Sequence, residues 1–167
     1  AARRNWPLTD QYEPGSTFKI LTSAAALEEG VVRRDSEFFD PGFIVVEDRR
    51  LRCWRAGGHG TQTFVEAVEN SCNPVFATIA LRLGKDKFYQ YLETFGFGKQ
   101  TNIDFPGEGR GIVPPISRTK NVELATMGFG QGISVTPIQL LRAMSVIANG
   151  GYLLEPHLVK EIRTPEG

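Results

Sequence analysis

Residues 12–19 read Tyr12-Glu13-Pro14-Gly15-Ser16-Thr17-Phe18-Lys19 and run into Ile20-Leu21-Thr22-Ser23-Ala24-Ala25-Ala26-Leu27. Proline suits a first helical turn, alanine and leucine favour its continuation, and Gly30 suits its stop. The sequence therefore predicts a helix from Pro14 or Gly15 to about Leu27. Phe18, Leu21 and Ala25 fall on one face and Ile20, Ala24 and Leu27 on another, so a buried helix is expected. Ser16 and Lys19 form S-x-x-K, a spacing that puts both side chains on one face with the amine in reach of the hydroxyl. A serine hydroxyl is a poor nucleophile until a neighbour takes its proton. A lysine does this only when burial or a nearby cation lowers its pKa. The start of the helix also presents backbone N–H groups to a developing oxyanion. Ser and Lys are common, so the pattern alone equally describes a solvent-facing pair on an ordinary helix.

Moving outward, residues 1–10 are polar and broken by Pro7, which predicts an extended approach. Pro41-Gly42 is a turn signal, and Phe43–Val46 and Arg50–Trp54 resemble short strands flanking Glu47-Asp48-Arg49. Gly57-Gly58-His59-Gly60 reads as a flexible loop. Four further helices are expected. Thr63-Phe64-Val65-Glu66 is a capping box opening a helix to about Asn70. Asn73-Pro74 is an N-cap followed by proline, opening a helix that stops at Gly84. Lys85 to Phe95 carries Phe88, Tyr91, Leu92 and Phe95 at helical spacing, a core stripe. Thr136-Pro137-Ile138-Gln139 starts a helix ending near Asn149-Gly150. Asn102 to Pro115 is an ordered loop, Phe129-Gly130-Gln131-Gly132 is either a cleft rim or a plain turn, and Leu158–Ile162 is a candidate strand.

Ser71-Cys72-Asn73 is S-x-N, in the break between two of these helices. Asn73 is read either as a ligand-binding amide or as the N-cap of the Pro74 helix, and a cap through the oxygen would leave the nitrogen for a ligand.

The 167 residues are enough for one domain with a core. Nineteen basic and nineteen acidic side chains cancel, so no overall field favours nucleic acid or anionic lipid. No run of apolar residues reaches membrane-spanning length, and residues 1–7 lack the apolar segment of a signal peptide. Cys53 and Cys72 are too few for a disulfide-built scaffold and lack the C-x-x-C spacing of a metal site. With His59 and His157 the only histidines, a His-based triad or His-rich metal site is not expected, and His59 is read as ordering its loop.

Tyr12–Lys19 resembles the serine motif of class B penicillin-binding proteins, whose group shares S-x-x-K, S-x-N and K-T-G. The resemblance continues in order through Gly58-His59-Gly60-Thr61, Asn70-Ser71-Cys72-Asn73-Pro74, Ile103-Asp104-Phe105-Pro106-Gly107-Glu108 and Gly130-Gln131-Gly132-Ile133-Ser134-Val135-Thr136-Pro137. It is most similar to the sporulation-specific and cell-division members. The resemblance implies a D,D-transpeptidase in which Ser16 attacks the penultimate D-Ala carbonyl of a peptidoglycan stem peptide. Lys19 would accept the serine proton, Ser71 would relay a proton to the leaving D-Ala, and Asn73 would bind the substrate amide. β-Lactams would acylate Ser16. No cofactor is implied, and the parent protein would be membrane-anchored and act on the extracytoplasmic face.

No lysine is followed by Thr-Gly or Ser-Gly, and only fifteen residues precede Ser16. The expectation is a partial transpeptidase domain over 1–167: a mainly α fragment of the α/β serine transpeptidase (β-lactamase-like) fold. It would carry short β-hairpin elements, the central sheet largely missing and activity reduced. Two rival readings are a β-lactamase or β-lactam sensor, with Glu66 or Glu69 as a second base, and a non-catalytic helical module that self-associates. The extracytoplasmic setting also raises a Cys53–Cys72 disulfide linking the strand region to the S-x-N turn, with a thiol–disulfide reductase as partner. The plainer reading is two unpaired thiols, Cys72 packed as a small apolar residue.

Overall fold

The structure, a computed structural model, describes residues 4–164. A single α-turn, α1 (Trp6–Thr9), opens it, with Pro7 in the first turn, where its missing N–H costs nothing. This corrects the expected extended approach. A 3-10 turn over Gly15–Phe18 leads directly into α2 (Lys19–Glu28). Four short strands follow: β1 (Glu37–Asp40), β2 (Phe43–Val46), β3 (Arg49–Arg52) and β4 (Gly60–Thr63). The β2–β3 hairpin is the one the sequence predicts; it pairs Val46 with Arg49 across Glu47-Asp48. β1 pairs antiparallel with β4, Asp40 opposite Gly60, so the supposed flexible loop feeds a strand instead. Among the described residues these two-stranded ribbons are the only sheets, the rest of the order being helical.

Helices α3 (Phe64–Glu69), α4 (Asn73–Leu83), α5 (Lys85–Thr94), α6 (Asn121–Met127) and α7 (Pro137–Ala148) complete the element order, with a 3-10 turn at Ile116–Arg118. The boxes at Thr63/Glu66 and Thr136/Gln139 form as expected. The helix α6 is an addition: the Glu123 carboxylate accepts from the Lys120 backbone N–H at 2.9 Å. The Leu158–Ile162 tail is not a strand; the backbone N–H groups of Leu158 and Val159 donate to the Asp104 carboxylate instead.

The core is built around α4, which packs on α2, α5, α6 and both ribbons. Phe76, Ile79, Leu21, Met127, Ile133 and Val135 are all buried in it. Truncating Phe76 to alanine would cost about 3–5 kcal/mol on that basis. Gly128 lets the end of α6 approach, since a Cβ there would overlap the Ala80 side chain and the Phe76 carbonyl. The helix α2 is not buried all round: Leu21, Thr22, Ala25 and Ala26 face the core, whereas Ile20 and Leu27 are exposed. Its neighbours α4, α5 and α7 cover only one side. No described helix is long and apolar enough to cross a membrane.

Candidate active site

The 3-10 turn leaves Ser16 exposed, while Lys19, the first residue of α2, is buried. Lys19 Nζ lies 3.3 Å from Ser16 Oγ, 2.9 Å from Ser71 Oγ, 2.7 Å from the Ser71 carbonyl oxygen and 2.6 Å from Asn73 Oδ1. The amine also sits 5.4 Å from the centre of the Phe76 ring. The four site residues expected from sequence thus meet at one nitrogen. Burial lowers the Lys19 pKa to about 8. A neutral amine has two N–H donors and one lone pair. The carbonyls of Ser71 and Asn73 can only accept, so they take the two protons; the lone pair is left to the hydroxyls of Ser16 and Ser71.

Ser71 owes its place to the way α3 ends. The N–H of Ser71 donates to the Val68 carbonyl and that of Cys72 to the Ala67 carbonyl, the paired bonds of a Schellman stop. Ser71 occupies the left-handed position of this motif, at φ 50°, where glycine is the usual residue. A non-glycine residue there stores strain, and here it aims both the hydroxyl and the carbonyl at Lys19. Cys72 then caps α4, with no side-chain cap bond, and Asn73 is already helical. The N-cap reading of Asn73 is therefore corrected: its oxygen is spent on Lys19.

The serine turn is clamped by residues more than a hundred positions downstream. Gly15 N–H donates to the Gly130 carbonyl, Gly132 N–H to Glu13 Oε1, and Tyr12 and Val135 exchange two backbone bonds. Thr22 donates its buried hydroxyl to the Gly128 carbonyl. The 128–135 stretch thus serves as the seat of the nucleophile. Glu66 is occupied with capping: its Oε2 takes the backbone N–H and hydroxyl of Thr63. Glu69 is exposed, and neither carboxylate joins the Lys19 group.

A second cluster adjoins the S-x-N turn. Cys53 and Cys72 are both free thiols. One ligand atom from each of Asp40, Cys53, His59 and Cys72 lies within 4.8 Å of the others. Asp40 Oδ2 is 2.9 Å from His59 Nδ1 and 3.2 Å from Cys72 Sγ, and accepts the His59 backbone N–H at 3.1 Å. Burial works against its charge, but hydrogen bonds from His59, Cys53, Cys72 and the Gly42 N–H prevail and hold its pKa near about 2. Burial pushes the Cys72 thiol up to about 12.

The profile of the family described as "Penicillin binding protein transpeptidase domain" matches residues 2–166. The chain is 55% identical over 160 residues to Stage V sporulation protein D of Bacillus subtilis, covering 95% of this chain and 25% of that protein. It thus spans about a quarter of the length of the curated relatives it matches. Among solved structures, penicillin-binding protein 3 of Mycobacterium tuberculosis complexed with aztreonam superposes with a TM-score of 0.91 at 30% identity, over 98% of this chain and 36% of that one. PBP2 of Pseudomonas aeruginosa in complex with WCK 5153 gives 0.87 at 34% identity, over 95% and 38%. A buried lysine joining Ser16 to the S-x-N turn, within a fold shared with these proteins, places the chain in the penicillin-binding protein transpeptidase family.

Proposed function

We propose that this chain carries the nucleophilic centre of a peptidoglycan D,D-transpeptidase that is acylated by β-lactams. The observation that carries the proposal is the single amine of Lys19 lying between the hydroxyls of Ser16 and Ser71. Ser16 Oγ attacks the carbonyl carbon of the penultimate D-Ala while its proton passes to the neutral Lys19. The proton travels through Ser71 to the departing D-Ala nitrogen, leaving an ester on Ser16. An amine of a second stem peptide displaces the serine and forms the cross-link. Asn73, with its oxygen on Lys19, offers its amide nitrogen to the substrate carbonyl. The setting is the extracytoplasmic face of a bacterial membrane, with the anchor, the K-T-G motif and the central sheet supplied by the rest of a longer protein. Labelling of the full-length protein with fluorescent penicillin tests this. A lasting adduct mapped by mass spectrometry to the Ser16 peptide is expected; rapid hydrolytic turnover would point to a β-lactamase.

One observation favours a second behaviour for the isolated chain. Ile20 and Leu27 on α2 and Leu141 and Ile147 on α7 are exposed on adjoining helices, and such surface drives association. Sedimentation of the 167-residue chain, expected to show self-association, checks this. Cys53 and Cys72 are free thiols in this structure, and their oxidation to a disulfide would be a separate, inactive-storage alternative to that reduced form. Their two thiols would lose two protons and two electrons to a disulfide donor, and a dithiol reductase would return them.

A further inference from the structure

Asp40, Cys53, His59 and Cys72 have no part in the acylation chemistry, yet they bring two sulfurs, an imidazole and a carboxylate together under the S-x-N turn. We propose that these four residues hold a divalent zinc ion, and that the ion braces the turn carrying Ser71 and Asn73.

Two cysteines and a histidine select zinc-like ions over magnesium or calcium, which prefer oxygen-only ligands. Four protein ligands describe a closed, structural site rather than one that activates water.

The geometry agrees. Zinc bonds of ~2.0–2.3 Å put neighbouring tetrahedral ligands roughly 3.3–3.8 Å apart. The separations are 2.9 Å for Asp40 to His59, 3.2 Å for Asp40 to Cys72 and 3.4 Å for Cys53 to His59, and no pair exceeds 4.8 Å. Shifts of a few tenths of an ångström on the named contacts, with a modest closure of the wider pairs, would centre an ion. Lone pairs of Nδ1, Oδ2 and Sγ converge here, and such atoms stay this close only with a cation, proton or metal, between them.

The ligands are also held in place. Asp40 closes β1, Cys53 follows β3, His59 precedes β4 and Cys72 sits between α3 and α4. The side chains of Asp40 and His59 are almost wholly buried, and Cys72 is buried. Cys53 N–H donates to the Gly42 carbonyl at 2.8 Å, and Asp40 Oδ1 accepts the Gly42 N–H at 2.8 Å. Gly58 has no room for a side chain against the Asp40 carbonyl and Gly42 nitrogen, so the loop bearing His59 lies tightly on the strand bearing Asp40.

The link to function is covalent. Cys72 stands between Ser71 and Asn73, so a metal–sulfur bond at Cys72 fixes the backbone of a turn that Ser71 holds in a strained conformation. Metal here would keep both Lys19 partners in register without touching substrate.

The test uses full-length protein purified under reducing conditions without chelator and then dialysed. About one zinc per chain is expected by elemental analysis. Replacement by Co²⁺ should give a thiolate-to-cobalt charge-transfer band and the intense d–d bands of a tetrahedral site. Cys53→Ser, at the more open edge of the cluster, should weaken the charge-transfer band and lower zinc affinity at least about tenfold. Chelation should slow penicillin labelling of Ser16 by roughly tenfold or more, with zinc, but not magnesium, restoring it. Folded, reduced protein that holds no stoichiometric metal and gives no cobalt spectrum would overturn the site. An unchanged spectrum in Cys53→Ser would overturn the ligand set, and zinc loss with unchanged labelling would overturn the brace. The wild-type cobalt spectrum stands even if the variant fails to fold. Metal content and spectrum do not involve acylation, so they remain readable if the transpeptidase reading fails.

Discussion

The backbone carbonyl of Ser71 accepts a 2.7 Å hydrogen bond from the Lys19 amine, in addition to the 2.9 Å contact at its hydroxyl. Lys19 is therefore tied to the position of the Ser71 main chain as well as to its side chain. Changes that move the turn should disturb the base even when no atom of Lys19 is altered.

Ser16 is exposed and Lys19 is buried, so their replacements should separate. Ser16→Ala in the full-length protein should abolish penicillin labelling while changing stability by no more than about 0.5 kcal/mol. Lys19→Met should slow labelling by ~10²–10⁴, the usual range for loss of a positioned general base. Stopped labelling reactions and denaturant titrations check both.

Labelling should rise with pH through about 8, as Lys19 loses its proton and gains a lone pair for Ser16. The stability linkage has a matching sign. The folded pKa lies below the ordinary lysine value of 10.5. Between these values the unfolded chain therefore binds a proton that the folded chain does not, and stability increases with pH across that window. The cost of burying the ammonium is fully present below about pH 8. A pH series of labelling rates on wild type, flat through this range, would count against Lys19 as the base.

Ser71→Gly should separate stability from activity. Glycine relieves a left-handed conformation that costs roughly 1–2 kcal/mol in other residues, so a gain of up to about 1 kcal/mol in unfolding free energy is expected. Loss of the hydroxyl should at the same time slow acylation. Ser71→Ala keeps the strain and should lose activity without the gain.

Gly130→Ala should displace the serine turn, because a Cβ there would overlap the Gly15 carbonyl and nitrogen, and because Gly130 has φ 79°. Both labelling and stability should fall, the latter by about 1–3 kcal/mol.

How much of this was legible depended on sequence distance. Ser16 with Lys19, Thr63 with Glu66 and Thr136 with Gln139 are three residues apart, and local geometry alone brings each pair together. Ser71 and Asn73 lie 52 and 54 positions from Lys19; only a resemblance to known motifs could place them there. β1 and β4 escaped because Glu37–Asp40 sets two phenylalanines between acidic residues and Gly60–Thr63 has no apolar residue, so neither shows the apolar alternation that marks a strand. The helix α6 escaped because Lys120 is not a usual cap; Glu123 supplies the bond by itself. Asp40 belongs to no motif. Its role depends on β1 pairing with β4, which delivers His59 beside it.

The clamp between Glu13 and Gly132 spans 119 positions, which bears on the order in which the site is assembled. A ribosome adding roughly 5–20 residues per second needs ~6–24 s to cover that stretch. During that interval Ser16 and Lys19 have been synthesised but lack the 128–135 seat that orients them. The nucleophile is thus made well before the stretch that gives it its working geometry.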